Sequence, residues 1–234
     1  MNDTVVSETK TKNSDGSIQE QRAVTGFTGI RVSGSATLQV VQGDREWLIV
    51  QADEELMPQV ITEVVDGTLH LRLNDNFSRG LFNRRTVHFF AGCKTLNTVE
   101  LSGSTAARIT ALNTPEFLCT ASGSALLEIP QLEAKHLRVK ASGGANVTIS
   151  GHVDEQTLTC SGVIRYNGGQ LRSRQAQIDV SGAGDLTLWA EELLDVRSAS
   201  GACKVHYYGA PEVRHVRNNI MLKLDALGEP VPQP

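Results

Sequence analysis

Residues 137–149 read LRVKASGGANVTI, a strand-like segment with the pair Ser142-Gly143 at its centre. The same core recurs along the chain, and from residue 102 its serines follow one another at steps of 20, 20, 19, 20 and 19 residues. The serines of these Ser-Gly pairs are Ser33, Ser102, Ser122, Ser142, Ser161, Ser181 and Ser200. A fixed period of this size is typical of stacked-repeat proteins, in which each repeat packs against its neighbours. We therefore expect one elongated domain built from successive coils, a coil being one period of the repeat.

Apolar and polar residues alternate on both sides of each Ser-Gly pair. If each serine is position zero, positions −3, −1, +5 and +7 are mostly apolar, +3 is mostly small, and −2, +4 and +6 are mostly polar. A period of two predicts β-strands with the apolar columns buried and the polar columns facing outward. No ten-residue segment keeps a helical period, and the sequence lacks the signature of a leucine-rich repeat. The pattern therefore predicts an all-β fold, a parallel β-helix (β-solenoid) with coils of about 20 residues.

The glycine of each pair is predicted to mark a corner where the strand turns. A sharp inward bend leaves no room for a Cβ atom, which explains why glycine is used there. The predicted corner glycines are Gly34, Gly103, Gly123, Gly143, Gly162, Gly182 and Gly201.

Departures from the period divide the chain into segments. The predicted segments are a flexible leader at 1–22, a single β-solenoid domain at 23–225 (an insert at 44–95, regular coils at 96–208 and a degraded capping coil at 209–225) and a tail at 226–234. Within the insert, Asp66-Gly67 joins two alternating β-forming segments, which predicts an antiparallel hairpin on the N-terminal side of the array. In the capping coil, Asn218-Asn219 stands where a Ser-Gly pair is expected.

Composition excludes several functional classes. The 234 residues carry a net charge of −4, whereas general nucleic-acid binding needs a clearly basic face. No apolar run approaches the length of a membrane-spanning segment. Residues 1–22 lack the basic start and apolar centre of a signal peptide. Two alternatives remain open, a cytoplasmic protein or a mature form without its export signal. We expect an extracytoplasmic location on the second assumption.

Four segments resemble the bacterial head GIN domain family, whose members are described as auto-transporter adhesins. They are VTGF at 24–27, VVQGD at 40–44, TEVVDGTL at 62–69 and KVHYYGAP at 204–211. Together with the ordered set of Ser-Gly cores, the resemblance extends over about residues 23–225.

This resemblance implies a right-handed parallel β-helix in an exported or envelope protein. It supplies no catalytic residues. The sequence departs from the family pattern in Asn218-Asn219 and in lacking a lipobox cysteine near its start, so the export route stays open.

Cysteines, histidines and the serine row offer no clear chemistry. Cys119 and Cys160 are expected two coils apart, at ~9–10 Å, beyond the reach of a disulfide. No Cys-x-x-Cys spacing suits zinc, and the six histidines do not share a face. We therefore predict buried free thiols, no metal site and no cofactor. A catalytic serine needs a paired base and an oxyanion hole, so serines repeated in every coil indicate turn structure.

Position +4 carries Arg165, Asp185 and Lys204 in successive coils. Outward charges of alternating sign predict ion pairs that support the strand register, each contributing about 0.2–1 kcal/mol. A charged row for binding a substrate is the alternative.

Two other surfaces are candidates for binding. Position +8 places Trp189 beside Tyr208 in adjacent coils, where an exposed aromatic pair could stack on a sugar ring, cover a core edge or form an oligomer contact. The loop 74–85 interleaves basic and aromatic side chains, a composition enriched in protein interfaces. Its candidate binding residues are Phe77, Arg79, Phe82, Arg84 and Arg85.

These sequence features are consistent with three functions. The first is a non-enzymatic surface or periplasmic binding module for a glycan or a surface protein, able to self-associate. The second is an envelope protein that assembles with itself or a neighbour. The third is a polysaccharide lyase or hydrolase, an analogy at the level of the fold alone. The outward carboxylates, such as Glu128, Asp179 and Asp185, are single charges rather than the convergent pairs that such an enzyme needs.

Overall fold

The computed structural model describes residues 10–14, 16–74, 86–215 and 222–229. The protein is all-β, and the helical structure among these residues is the 3-10 turn Met57–Gln59. The strands are β1 (Lys10–Lys12), β2 (Ser17–Arg22), β3 (Gly29–Gln42), β4 (Trp47–Asp53), β5 (Val60–Val65), β6 (Thr68–Leu73), β7 (Val87–Cys93), β8 (Thr98–Ile109), β9 (Leu112–Ser200), β10 (Cys203–Tyr208), β11 (Glu212–His215) and β12 (Leu222–Gly228). No helix in these ranges has the length and apolar character that a membrane crossing requires.

The strands form one open sheet in the order β1-β2-β4-β7-β3-β8-β9-β10-β12. From β3 onward the neighbours along this order are parallel. From β3 to β10, equivalent positions of the sequence repeat face each other. Ser33 lies opposite Ser102, and Ser102 lies opposite Ser122. The period read from the sequence is therefore the pairing register of the sheet.

The chain must turn repeatedly within strand β9. Its 89 residues would span roughly 290 Å if extended, at about 3.3 Å per residue. Yet the backbone of Gly143 lies directly against that of Gly123, and Gly162 lies against Gly143. Residues 19 or 20 apart are thus neighbours, as they are between β8 and β9.

The alternating columns are buried as the period of two predicts. Positions −3 and −1 are filled by Val99 and Leu101 in one coil and by Ile178 and Val180 in a later one, all at most 1% exposed. Tyr207 departs from this pattern, because it is only half-buried near the C-terminal end of the sheet. The core is mainly aliphatic, which agrees with the aromatic content of 5% in the sequence.

One buried hydroxyl lacks a partner among the described residues. Thr105 occupies the small column at position +3 and is 4% exposed, and its Oγ1 accepts or donates no hydrogen bond. The equivalent positions in the next two coils hold Ala125 and Ala145, both buried. Thr105 therefore carries a desolvation cost that its neighbours avoid.

The insert forms a layer against the first coil. The N-terminal half of β3 pairs in parallel with β6 and its C-terminal half with β7. Strands β5 and β6 are antiparallel, and Asp66 and Gly67 between them have φ of 49° and 72°, the positive values that a two-residue hairpin turn needs.

The prediction of a flexible leader is wrong for most of the residues described there. Strand β2 pairs with β4 and with β1, and Ile18 is 2% exposed. The Arg22 guanidinium donates to the carbonyl oxygen of Val60 at 2.7 Å and to the Thr62 hydroxyl at 3.2 Å. The segment pairs with a distant strand, and residues 1–22 have no sustained apolar period that would indicate this.

The C-terminal segment continues the sheet. Strand β11 pairs in parallel with β9, and β12 pairs in parallel with β10. Residues 226–228, predicted as tail, belong to β12. Asn218-Asn219 lies outside the described residues.

Candidate functional site

The Ser-Gly pairs form a ridge across the sheet. All seven glycines have positive φ, from 78° at Gly123 to 123° at Gly182. A Cβ atom on Gly143 would lie 2.8 Å from the carbonyl oxygen of Gly123 in the preceding coil, and one on Gly103 would lie 2.7 Å from that of Gly34. Gly34 itself, in the first coil, has nothing within 4 Å of this position. The obstruction is therefore the backbone of the preceding coil, a contact that the sequence argument about inward bending did not identify.

The serine hydroxyls differ along this ridge. Ser102 Oγ donates to the carbonyl oxygen of Val32 at 3.4 Å, and Ser122 Oγ donates to that of Leu101 at 3.4 Å. Their acceptors lie in the preceding coil rather than in the local turn that the sequence suggested. The hydroxyls of Ser142, Ser161 and Ser181 make no hydrogen bond with any other described residue, so they are available to a ligand.

These three serines line a groove of about 380 Å³ on one side of the ridge. Alanine, cysteine and valine side chains lie between its polar groups. We call it the hydroxyl groove, and its polar lining is Thr120, Lys140, Ser142, Thr159, Ser161, Asp179, Ser181 and Ser198. A hydroxyl can both donate and accept, so this surface matches the hydroxyls of a sugar.

A second groove, of about 640 Å³, lies on the other side of the ridge. Its floor is apolar, and charged side chains from position +4 stand along it. We call it the cationic groove, and its exposed lining includes Gly144, Val163, Arg165, Ala183, Asp185, Ala202, Lys204 and Lys223.

The ion-pair ladder predicted at position +4 does not form. Lys204 lies in register with Asp185 on one side, but no carboxylate of the described residues lies within 4.0 Å of the ammonium of Lys204. Asp185 instead approaches His206 at 4.0 Å, and His206 lies 3.5 Å from Asp225. The register therefore brings Asp185 and Lys204 side by side, but the Asp185 carboxylate approaches His206 at position +6 instead of the Lys204 ammonium.

Trp189 and Tyr208 are neighbours in the sheet, paired between β9 and β10. Both side chains are half-buried rather than fully exposed. The Arg172 guanidinium lies 5.9 Å from the centroid of the Trp189 ring and is held by Glu191 at 2.7 Å. An arginine over an aromatic ring is a favourable contact, so one face of the tryptophan already has a partner.

The loop candidates Phe77, Arg79, Phe82, Arg84 and Arg85 lie outside the described residues.

The cysteines are buried and unpaired. Burial raises the pKa of Cys119 and that of Cys160 to about 12. The pKa of Cys203 is raised to about 11, mainly by burial and to a smaller extent by the negative charge of Asp185. These thiols are protonated at neutral pH and poorly nucleophilic. The described residues contain no group of three or more histidine, cysteine or acidic side chains that could hold a metal ion.

A buried polar network is the feature that sequence reasoning missed. Tyr166 Oη donates to Gln156 Oε1 at 2.8 Å, and Gln156 Nε2 donates to Ser173 Oγ at 2.8 Å. Ser173 Oγ in turn donates to the Trp189 carbonyl oxygen at 2.6 Å. All three side chains are at most 1% exposed, and the Tyr166 ring fills the space that a side chain at Gly168 would need. The sequence did contain one signal. Gly168 occupies position +7, where the other coils have large apolar side chains, and it follows by two residues Tyr166, the one tyrosine at position +5.

The outward carboxylates do not converge on a common site. Glu128 pairs with Arg108 on the neighbouring strand, and Asp185 approaches His206. Asp179 lines the hydroxyl groove, on the other side of the ridge from Asp185.

Comparison with known proteins gives one family and several similar folds. The sequence profile of the family described as "Putative auto-transporter adhesin, head GIN domain" matches residues 26–211. A "putative adhesin" from Bacteroides fragilis shares 22% identity with this chain at a TM-score of 0.80, over 92% of this chain and 96% of that one. A "putative lipid binding protein" from Parabacteroides distasonis shares 18% identity at a TM-score of 0.66, over 92% and 96%. A "putative adhesin" from Parabacteroides merdae shares 16% identity at a TM-score of 0.59, over 95% and 99%. The search of curated proteins gave no match.

Proposed function

This chain belongs to the family described as "Putative auto-transporter adhesin, head GIN domain", and we propose that it is a non-enzymatic binding module of the bacterial cell envelope. Its location in this proposal is extracytoplasmic, and its ligand is a glycan of the surface. The observation that carries the proposal is the row of hydroxyls at Ser142, Ser161 and Ser181 in the hydroxyl groove, which have no hydrogen-bond partner among the described residues.

The proposal includes a specific form of the fold. We infer that the coils wind as a right-handed parallel β-helix, because a connection between parallel strands of one sheet is almost always right-handed. Parallel strands lie ~4.8 Å apart, so the groove would offer equivalent hydroxyls at this spacing. A repeating ligand such as a polysaccharide can contact several of these hydroxyls at once.

The test is a glycan array followed by titration of any ligand found. The variant Ser142→Ala/Ser161→Ala/Ser181→Ala removes three hydroxyls from the groove. Each hydrogen bond contributes about 0.5–1.5 kcal/mol, so affinity should fall roughly tenfold or more. The matched control, with the same three changes at Ser33, Ser102 and Ser122, should alter affinity by less than about twofold, because these serines do not line the groove.

Three results would overturn this proposal. An array without any bound glycan would contradict the ligand class, and equal losses in both triple variants would contradict the site. Cleavage of acidic or neutral polysaccharides by the purified protein would establish an enzyme instead.

The aromatic pair offers a second place for the same ligand. Trp189 and Tyr208 are adjacent and half-buried, so a sugar ring could still stack on the open part of their surface. If this is so, Trp189→Ala weakens a glycan affinity detected on the array. An unchanged affinity excludes this site and leaves the hydroxyl groove as the test of the proposal.

Assembly with a second copy is the competing function. Strand β12 pairs with β10 alone among the described strands, and Leu227 on it is 45% exposed. An unpaired strand edge is a template for pairing with another chain. Light scattering across a concentration series tests this, and Leu227→Lys should shift any dimer toward monomer. A monomer at all concentrations would contradict assembly.

A further inference from the structure

The cationic groove contains a like-charge pair that no carboxylate of the described residues neutralises. Lys204 on β10 lies in register with Lys223 on β12, so their Cα atoms are ~4.8 Å apart. Like charges directly opposite each other in a sheet are destabilising. Neither ammonium has a carboxylate within 4.0 Å among the described residues, and Arg165 adds a third such cation to the same wall. An anion placed between the two lysines would relieve this repulsion.

The floor of the groove is apolar where these cations are found. Position +2 holds Ser35, Ser104 and Ser124 in the first three coils. The later coils have Gly144, Val163, Ala183 and Ala202 at this position, all exposed and without hydrogen-bonding side chains. Val163 is 63% exposed, the highest value among the exposed large apolar side chains of the described chain. Such a floor gives sugar hydroxyls no side-chain partners, but it can cover a hydrocarbon chain.

The apolar column at position +2 and the charged column at position +4 run side by side along the groove. The groove runs from the coil of Gly144 to Lys223, four strand spacings or ~19 Å. Val163 lies toward one end, in the same coil as Arg165, and the adjacent lysines Lys204 and Lys223 lie at the other. Asp185, between them, is the one carboxylate in the lining. The charges of Arg165 and Asp185 offset each other, so the excess positive charge of the lining lies at the lysine end. This distribution matches an elongated molecule with one anionic end.

We propose that the cationic groove binds a single-chain lipid with a phosphate head group, its head between Lys204 and Lys223 and its chain along Val163. Two ammonium groups suit the several oxygens of a phosphate, and the chain covers the apolar floor. This site lies on the other side of the Ser-Gly ridge from the hydroxyl groove. It is independent of the glycan proposal and survives if that proposal fails.

The experiment is calorimetric titration of the full chain with alkyl phosphates of increasing length, kept below their critical micelle concentrations. Burial of each methylene should strengthen binding by up to about three- to fourfold, until the chain exceeds the groove. Lys204→Gln/Lys223→Gln should weaken binding of dodecyl phosphate at least tenfold, and Val163→Asp should abolish the dependence on chain length. All three side chains are exposed, so the fold should tolerate these changes, which circular dichroism verifies.

Matched controls separate this site from general charge and general hydrophobicity. Lys140→Gln removes a lysine of the hydroxyl groove, and Val65→Asp alters an exposed valine on β5. Both should bind dodecyl phosphate as the wild type does.

Four results would overturn the proposal. They are no binding of dodecyl phosphate, equal affinity for inorganic phosphate, an unchanged affinity in the double lysine variant, and binding to anionic vesicles or polygalacturonate without binding of the monomeric lipid. The last result would assign the cations to a membrane surface or to an acidic polysaccharide. Loss of glycan binding in the serine variant, with dodecyl phosphate binding intact, would show the two grooves acting separately.

Discussion

Replacement of Gly143 by alanine should destabilise the protein through a contact between coils. The residue has φ of +89°, a left-handed conformation that costs a residue with a Cβ about 1–2 kcal/mol. The new Cβ would also lie 2.8 Å from the Gly123 carbonyl oxygen and 3.0 Å from its nitrogen. Both atoms are backbone, so relief requires a shift of the ladder, at a cost comparable to overpacking, about 1–3 kcal/mol. The expected total is about 2–5 kcal/mol.

Two other glycines supply matched controls. Gly34→Ala has the same conformational cost, with φ of +97°, but nothing lies within 4 Å of its Cβ position. It should therefore lose only about 1–2 kcal/mol. Gly144→Ala has neither problem, since its φ is not positive and its nearest neighbour is 3.8 Å away, so its stability should stay within about 0.5 kcal/mol.

Thermal melts followed by circular dichroism, with urea denaturation at 25 °C, measure these differences. For a chain of this size each kcal/mol shifts Tm by about 2–4 °C, so Gly143→Ala should lower Tm by roughly 4–20 °C. Equal losses for Gly143→Ala and Gly34→Ala would refute the contact between coils as a source of the cost. A large loss in Gly144→Ala would refute the backbone argument altogether.

Three further predictions concern single side chains. Thr105→Val should raise the free energy of unfolding by about 1 kcal/mol, because it removes a buried hydroxyl without a partner, and a loss of stability in urea denaturation would contradict this. Tyr166→Phe should lower that free energy by about 1–3 kcal/mol, since it leaves Gln156 Oε1 buried without its donor, and an unchanged urea midpoint would show that the network contributes nothing. The N–H of Gly26 lowers the pKa of Glu46, so Glu46 stabilises the fold above the unfolded-state pKa of a glutamate and loses this contribution as the pH falls through its lower folded-state pKa. Glu46→Gln should therefore reduce the acid-side slope of Tm against pH, and identical slopes would exclude this role.

Much of the architecture could be predicted because it is periodic. Alternation at period two identified the buried columns, and the spacing of the Ser-Gly pairs gave the register that the sheet has between β3, β8 and β9. The Asp66-Gly67 hairpin was predictable because a two-residue turn needs two residues that tolerate positive φ.

Non-local pairing explains what the sequence did not reveal. Strand β2 finds its partner β4 some thirty residues later in the chain, and Arg22 is fixed by carbonyl and hydroxyl oxygens that no local pattern announces. The network around Gln156 joins residues from three coils, so its members are far apart in sequence. The charges at position +4 share a column as predicted, but side-chain direction decides whether they pair, and Asp185 approaches His206.

Both proposed grooves depend on the stacking of coils within β9, and engineered disulfides test this register directly. Residues that face each other in adjacent coils have Cα atoms ~4.8 Å apart, within the range a disulfide needs, whereas residues two coils apart are beyond it. The contact of Gly143 with Gly162 places Lys140 opposite Thr159. The contact of Gly123 with Gly143 places Thr120 opposite Lys140 on its other side, so Thr120 and Thr159 are two coils apart. Lys140→Cys/Thr159→Cys should therefore form a disulfide on mild oxidation, observed by mass spectrometry, while Thr120→Cys/Thr159→Cys should stay reduced. A disulfide in the second variant, with none in the first, would contradict the stacked register on which both grooves depend.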